Sequence, residues 1–599
     1  MKLYRLYSNR DDVFQAVQFN RGLSAVMAEI RVPANRQLDT HNLGKTTIGE
    51  LLDFCLLRGK NQDFFLYKHG ERFADYTFYL EVQLPDGRFL TLARPVTPGS
   101  RVSFALSEAP LRDVTTLDSS FQWDHVGVAF DRARLLLDGY LSLDVLQPWH
   151  FRKLVGYLIR SQRDYQDVFQ LGKFSGKHQE WKPFVGHLLG LSPQPVINLY
   201  SKREELAEVN AALATLTREW GGDDVDASVV DGLISVKRRE IETRTASLDS
   251  FDFYEVDLRL TAEVVEGAEQ SISALNDESY RLAQLMQRIS ESIAGEQVVF
   301  RPREAERLFN EAGVVFGEQI KRDYNQLVAF NQAITNERRE ALQQQLARAQ
   351  QRAAEIRSEL DRLNDDRARS LEFLRESDAL VKYKELSREL ATLQGELSAL
   401  EARRSAASRL LELRRSARAL QEEFGHLETQ VESEIEELSA DEGSRFGRLR
   451  RYFTEIVYEV LGQNALIAIR VNSQGGLEFT AEFIGDAGNA TSGDRGTSYR
   501  KLLCIAFDLA MLRAYSDVTF PRFVYHDGAL EQLEPRKREK LIGVLREYDR
   551  LGFQPVISLL DSDLPAPLGS SPSTLSAGDV VLTLHDEGAS GRLFRDESW

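Results

Sequence analysis

The sequence predicts an α/β protein in which two strand-rich segments, one at each end of the chain, enclose a long inserted coiled coil. Three observations carry this reading: a strand, turn and helix around Gly44-Lys45-Thr46-Thr47, sustained heptads in the middle of the chain, and a return of strand patterns beyond about residue 445. The expected boundaries are 1–200, 201–440 and 441–599.

The N-terminal segment alternates apolar and polar residues in short runs. KLYRLYS, FQAVQF and LSAVMAEIRV come first, then YTFYLEVQL and RFLTLARPV form a hairpin about Pro85-Asp86-Gly87. Thr46, Ile48, Leu51, Leu52, Cys55 and Leu56 mark one helix directly after a glycine-containing turn. From about 200 to 440 Glu, Arg, Gln, Leu and Ala dominate. Leu342, Leu346, Ala349, Ala353, Ile356, Leu360 and Leu363 step by alternating fours and threes, and Leu386, Leu390, Leu393, Leu397 and Leu400 do the same. The outgoing helices break near Gly221-Gly222 and Leu248-Asp249-Ser250-Phe251. Gly295 to Phe316 reads as the turn-rich apex of an antiparallel hairpin. A return helix of about 110 residues would measure on the order of 160 Å at 1.5 Å per residue if unbroken, too long to pack inside a globule. A parallel homodimeric coil fits the same heptads. In the C-terminal segment, NALIAIRVN and LEFTAEFIG read as a hairpin across Gly475-Gly476. A helix then runs from about Ser498 to Tyr515, with strands at Phe520 to His526 and Phe553 to Leu559; VVLTLHDEG and GRLFRD read as an edge hairpin.

Composition narrows the class. With 599 residues the chain exceeds what one core supports, and its 16 prolines suit long helices. Cys55 and Cys504, its two cysteines, sit in apolar runs without metal-type spacing and read as buried thiols of a reducing compartment. No apolar run reaches the roughly 18 residues of a membrane span, and MKLYRLYSNRDDVF lacks a signal-peptide core, so a cytoplasmic location is expected. The net charge of −17 argues against a uniformly basic nucleic-acid binder and leaves room for a local basic stripe.

Asp39 to Thr47 matches G-x-x-x-x-G-K-[ST] except at its first position, Asp39. Gly44 lets the backbone curl close to phosphates. The amides of Asn42 to Thr46 at a helix N-terminus supply donors, Lys45 reaches the β- and γ-phosphates, and the Thr46 hydroxyl suits Mg²⁺. The expected ligand is ATP with Mg²⁺. In the C-terminal segment, the apolar strand Phe523-Val524-Tyr525-His526 ends on Asp527, placed to hold the same ion.

The order of strands, HNLGKTT, coil and second α/β lobe is similar to SMC, RecN and SbcC-type ATPases. THNLGKTTIGELLDFCL more closely resembles a little-characterised bacterial family of SMC-like ATPases filed as a domain of unknown function, whose P-loop carries a similar His-Asn, here His41-Asn42. FRKLVGYLIRSQRDY, EAGVVFGEQIKRDYNQLVAFNQ, FDLAML and VYHDGALE extend the resemblance along the chain. It implies a split ABC-type P-loop ATPase head built from both chain ends, with the coil inserted between the halves. It also implies Gln162 as the Q-loop residue at nucleotide and Mg²⁺, Asp527 as the Walker B aspartate, and Leu533-Glu534 as the D-loop pair. A signature loop capping a partner head's γ-phosphate then falls at Ser492-Gly493 or at Gly496-Thr497-Ser498.

Two departures stand out. The residue after Asp527 is Gly528 where such ATPases have a catalytic glutamate, leaving Glu531, one turn away, as candidate. Ser558, Asp561 and Ser562 stand where a switch histidine is expected. Arg445, Arg448, Arg450 and Arg451 cluster where SMC-like heads meet DNA, and clustered arginines neutralise phosphates without sequence preference. The resulting expectation is an ATPase that forms a homodimer through its heads and acts through its coils on double-stranded DNA or on partner proteins encoded nearby. The resemblance implies a setting in bacterial antiphage or mobile-element defence, or in DNA maintenance. A nucleotide-gated switch with little hydrolysis is the alternative, and a purely structural scaffold the third reading.

Overall fold

The computed structural model describes residues 1–32, 43–117, 121–172, 178–219, 227–249, 258–295, 318–370, 378–485, 497–570 and 574–595. It divides the chain into two compact units. One joins Met1–Glu205 to Gln421–Trp599, and the other is Leu206–Leu420.

The first unit opens with strands β1 (Lys2–Ser8), β2 (Val17–Gln18) and β3 (Ser24–Glu29), followed by helix α1 (Lys45–Cys55) and the short helices α2 (Phe65–Lys68) and α3 (Gly70–Phe73). Strands β4 (Thr77–Gln83), β5 (Phe89–Pro95), β6 (Arg101–Ser107) and β7 (His125–Ala129) come next, with helices α4 (Phe130–Leu141) and α5 (Phe151–Leu158) and strand β8 (Ile159–Arg160). Helices α6 (His178–Leu188) and α7 (Pro193–Glu219) end this part. Six strands form a sheet in the order β2-β1-β4-β5-β6-β7, with antiparallel pairing throughout. The β4–β5 hairpin is the expected one, Thr77 facing Pro95 and Gln83 facing Phe89.

The C-terminal part of this unit contributes helix α12 (Arg445–Leu461), strands β9 (Asn464–Val471) and β10 (Leu477–Ile484), helix α13 (Thr497–Ala514), strand β11 (Phe523–His526), helix α14 (Pro535–Arg550), and strands β12 (Gln554–Leu560) and β13 (Val580–His585). A five-stranded sheet in the order β13-β3-β12-β11-β8 draws on both chain ends, and its pairings are parallel. Strands buried on both faces need continuous apolar runs, which FVYH and SAVMAE supply. VVLTLH therefore does not form the expected edge hairpin with GRLFRD. It pairs parallel to β3, and the following segment makes only the isolated bridge Phe14 to Phe594.

Helix α13 is buried almost all round, from Leu502 to Leu512. It carries one carboxylate into this core, Asp508, which meets Arg160 of β8. Arg160 Nε donates to Asp508 Oδ2 at 2.6 Å and Nη2 to Oδ1 at 3.0 Å. Its remaining donors reach the carbonyls of Asp164, Asp167 and Val168. His526 of β11 reaches the same Asp508 Oδ2 at 3.1 Å. One fully satisfied ion pair thus fastens both halves of the unit.

The second unit holds helices α8 (Ala227–Asp249), α9 (Leu258–Gly295), α10 (Glu318–Ser370) and α11 (Asp378–Ala440), the last continuing into the first unit. Its ion pairs fix the directions of the helices. Asp231 with Arg404 at 2.5 Å, Arg238 with Glu401 at 2.7 Å, and Arg244 with Glu389 at 3.3 Å make α8 antiparallel to α11. Glu269 with Ser387 at 3.1 Å and Ser273 with Gln394 at 2.9 Å make α9 parallel to α11. Helix α10 meets α9 through Arg352 and Glu278 at 2.8 Å. A single out-and-back hairpin does not describe these helices, since α8 and α9 run in opposite directions. The heptads of α10 and α11 specify a seam; they do not specify how many segments share it or which way those run. The expected apex beyond Gly295 and the break at Gly221-Gly222 lie outside the described residues.

No helix among the described residues is long and apolar enough to cross a membrane. Asp508→Ala strands Arg160 in the core and is expected to cost on the order of 3–5 kcal/mol, read as a loss of unfolding free energy in denaturant titration.

Candidate functional site

Parallel sheets open their ligand crevice beyond the carboxyl ends of their strands, and here those ends belong to β3, β12, β11 and β8. Gly44, at φ 103°, caps α1 in the left-handed region, where a side chain is strained. A Cβ there would also lie 2.6 Å from Leu593 Cβ. The helix therefore starts at Lys45 with free amides at its N-terminus. Its inner face, Ile48, Leu51, Leu52 and Cys55, is buried as the spacing predicts. Tyr525 of β11 locks it by donating to the Lys45 carbonyl at 2.8 Å.

Two small clusters stand at this point. In the first, the exposed Thr46 hydroxyl donates to Asp527 Oδ2 at 2.8 Å, while Ser558 Oγ donates to Asp527 Oδ1 at 2.6 Å. Asp527 is fully buried, and burial holds its carboxyl above the usual carboxylate range despite both hydroxyls. In the second, Lys45 Nζ lies 3.4 Å from Glu531 Oε1, and Gln162 Nε2 donates to Glu531 Oε2 at 2.9 Å. Lys45 is itself buried, with 7% of its surface exposed.

Gly528 explains how Glu531 reaches this place. Its φ is 63°, its amide donates to Ser558 Oγ at 2.9 Å, and the Glu531 amide returns to its carbonyl at 3.2 Å. In this turn a Cβ on Gly528 would lie 2.7 Å from Glu531 Cδ and 2.8 Å from Oε2. The Glu531 carboxylate thus occupies the space that a side chain at 528 would enter. A glutamate is absent from the expected position in sequence and present beside it in space.

The residues fit Mg²⁺ bound with a triphosphate. That ion takes one or two protein oxygens and fills its remaining positions with water and phosphate, and a hydroxyl beside a carboxylate supplies the pair. Thr46 and Asp527 would be the holders; the exposed Gln162 carboxamide meets Glu531. Among the described residues no group of three or more His, Cys, Asp or Glu forms a metal cluster.

The other predicted residues fall as follows. His41, Asn42, Ser492, Gly493 and Gly496 lie outside the described residues. Thr47 is half-buried on the first turn of α1; Thr497 and Ser498 open α13. Glu534 stands just before α14 and pairs with Lys537 at 3.3 Å. Arg445 stacks on Tyr515 with its guanidinium 4.1 Å from the ring centre, and Arg448 pairs with Asp517 at 3.1 Å. Arg450 donates to the Ser439 carbonyl at 3.1 Å, and Arg451 faces Glu455 at 3.9 Å. Sequence reasoning noted Ser558 only as the occupant of a histidine's place and missed Lys501, Tyr525 and the Arg160–Asp508 pair. The signal for that pair was present: a lone Arg in YLIRS and a lone Asp in AFDLAM each demand a buried partner.

Residues 453–598 match a family model described as an uncharacterised protein conserved in bacteria (DUF2326), the kind of family the P-loop resemblance expected. No curated protein matches the chain. Among solved structures, an Smc head domain with a coiled coil and joint from Pyrococcus yayanosii aligns over 93% of this chain and 92% of its own, at 14% identity and a TM-score of 0.34. An Smc head domain with an extended coiled coil from Pyrococcus furiosus, bound to the C-terminal domain of ScpA, aligns over 94% and 90%, at 12% identity and a TM-score of 0.29.

Asp527 is a buried carboxylate facing two hydroxyls and, among the described residues, no cation within ion-pair distance. Asp527→Asn is expected to raise the melting temperature of the ligand-free protein by a few degrees, because it removes an uncompensated charge from the core. Thermal unfolding by circular dichroism checks this, and the same variant should lose the Mg²⁺-dependent part of nucleotide affinity.

Proposed function

We propose that this chain is an SMC-like ABC-type ATPase, a split P-loop head with an inserted helical coil, that binds ATP and Mg²⁺ at the Lys45, Thr46 and Asp527 site. The observation that carries the reading is the meeting of Lys45, Gln162, Asp527 and Glu531 beyond the ends of three strands drawn from both chain ends. The domain limits of the proposal are 1–200 and 441–599 for the head and 201–440 for the coil.

Lys45 neutralises the terminal phosphates as a point charge, with the amides at the start of α1 beside it. Thr46 and Asp527 would hold the ion, which would supply neutralisation of charge on the phosphate oxygens. Phosphate arriving at Lys45 displaces Glu531, and the freed carboxylate, still tethered beside Gly528, accepts a proton from water as the water oxygen bonds to the γ-phosphorus and the bond to the β-phosphate oxygen breaks, releasing ADP and phosphate. The filling of the space at 528 by Glu531 favours turnover over the nucleotide-gated switch, which rests on Gly528 and the missing histidine.

One chain covers one side of a triphosphate, leaving the γ-phosphate open to water. The proposal therefore includes a head-to-head homodimer in which the segment Ser492 to Ser498 of each chain covers the partner's nucleotide, and closure moves the coils. The work of those coils on double-stranded DNA or on partner proteins encoded nearby, in bacterial antiphage or mobile-element defence or in DNA maintenance, belongs to the same proposal. For DNA the support is the run Arg445, Arg448, Arg450 and Arg451. Asp517 and Glu455 reduce the charge it offers to phosphate.

Lys45→Ala is expected to abolish ATP binding in fluorescence titration while leaving the melting temperature near that of the wild type. Glu531→Gln should bind ATP roughly two- to fivefold tighter, because a partly exposed ion pair of up to about 1 kcal/mol no longer competes for Lys45. Hydrolysis by this variant should fall at least tenfold. With ATP and Mg²⁺, Glu531→Gln should sediment as a dimer where the apo protein is a monomer; an unchanged mass would defeat closure by dimerisation.

A further inference from the structure

Lys501 lies on the second turn of α13 and is buried, with 6% of its surface exposed. Among the described residues its ammonium has no carboxylate within ion-pair distance. It donates instead to the Gly528 carbonyl at 2.9 Å and to the Glu531 carbonyl at 3.2 Å, and it sits 5.4 Å from the centre of the Tyr165 ring. Burial pulls its pKa below the ordinary lysine value, with Glu531 opposing that shift. Burying an ammonium without an acid is costly, and a chain selected for stability alone would place an apolar residue there.

The position of the two accepting carbonyls explains what the ammonium does. They are the first and last of the turn that carries Glu531. That turn is bounded by Gly528 at φ 63° and by Gln532 at φ 64°, a left-handed conformation that a non-glycine residue holds only under outside constraint. Without a donor across both carbonyls, the turn is free to relax and swing the Glu531 carboxylate away from Gly528. Of the other buried cations nearby, Lys45 faces the Glu531 side chain, and Arg160 spends its donors on Asp508 and on the carbonyls of 164, 167 and 168. Lys501 holds the Glu531 backbone from the α13 side through that carbonyl.

We propose that Lys501 is a positioning residue for hydrolysis: it clamps the 528–531 turn and so aims the Glu531 carboxylate into the space left by the glycine at 528. The clamp also ties the general base to α13, the helix entered from the 492–498 segment. This inference rests on the ATPase reading above.

The test compares Lys501→Met, which removes every donor, and Lys501→Gln, which keeps an N–H, with the wild type and with Glu531→Gln. Lys501→Met is expected to lower kcat for ATP at least tenfold while KM and the ATP dissociation constant stay within about threefold, and Lys501→Gln to recover part of kcat. Amide hydrogen exchange in the nucleotide-free protein should accelerate over residues 527–533 in Lys501→Met and remain unchanged along α1. Adding Lys501→Met to Glu531→Gln should cause no further loss of turnover, because the clamp acts only through that carboxylate. A full additional loss in the double variant, an equal fall in nucleotide affinity, unchanged exchange over 527–533, or a wild type that binds ATP without turning it over would each overturn the proposal. If Lys501→Met does not fold, Lys501→Gln carries the same comparisons. A wild type that binds no ATP would instead refute the nucleotide site itself.

Discussion

The parallel pairing of β3 with β12 is the contact on which the rest of the first unit depends. Ser24 faces Val556 and Ala28 faces Leu560, so strands from opposite ends of the chain become neighbours in one sheet. Because β3 leads into α1 and β12 lies beside β11, that pairing brings Thr46 within 2.8 Å of Asp527 across 481 residues of sequence. Closing so long a loop costs little more than closing a short one, since the entropy of closure grows only with the logarithm of length. A large helical insertion can therefore sit between the halves without undoing the sheet that joins them.

The site built on that sheet is a set of charged groups held in place by short polar contacts. Lys45 holds Glu531, Thr46 and Ser558 hold Asp527, and Lys501 holds the backbone between them. Two opposite demands are met at once. Without ligand the buried ammonium of Lys45 has an anion beside it, and in the proposed reaction the same acid would be released next to the phosphate. A glutamate directly after Asp527 would collide with the turn as built, because its Cβ would fall within 2.8 Å of a Glu531 carboxylate oxygen. The departure at Gly528 and the presence of Glu531 are one structural feature.

The second unit reuses a single long seam. Helix α11 receives α8 in one direction and α9 in the other, and Ala349 and Ile356 of α10 are buried at the heptad positions. The ion pairs that reveal these directions are mostly exposed, so each adds little stability. Their role is to fix register, while apolar burial along the seam supplies the stability.

What the sequence by itself determined is what local physics controls: the amphipathic face of α1, the β4–β5 and β9–β10 hairpins, the all-apolar β11 ending on Asp527, and the heptads of α10 and α11. Each is written in the periodicity of a few neighbouring residues. The tertiary structure alone decided the rest. It placed the Glu531 carboxylate beside Gly528, put Ser558 on Asp527, spread Lys501 over two carbonyls, turned β13 from a hairpin into a parallel edge strand, and reversed α9 against α8. These outcomes depend on which distant strands pair and on backbone angles at single residues such as Gly528 and Gln532. No repeat in the sequence records such angles, and a side chain's partners are fixed only once the sheet has brought both chain ends together.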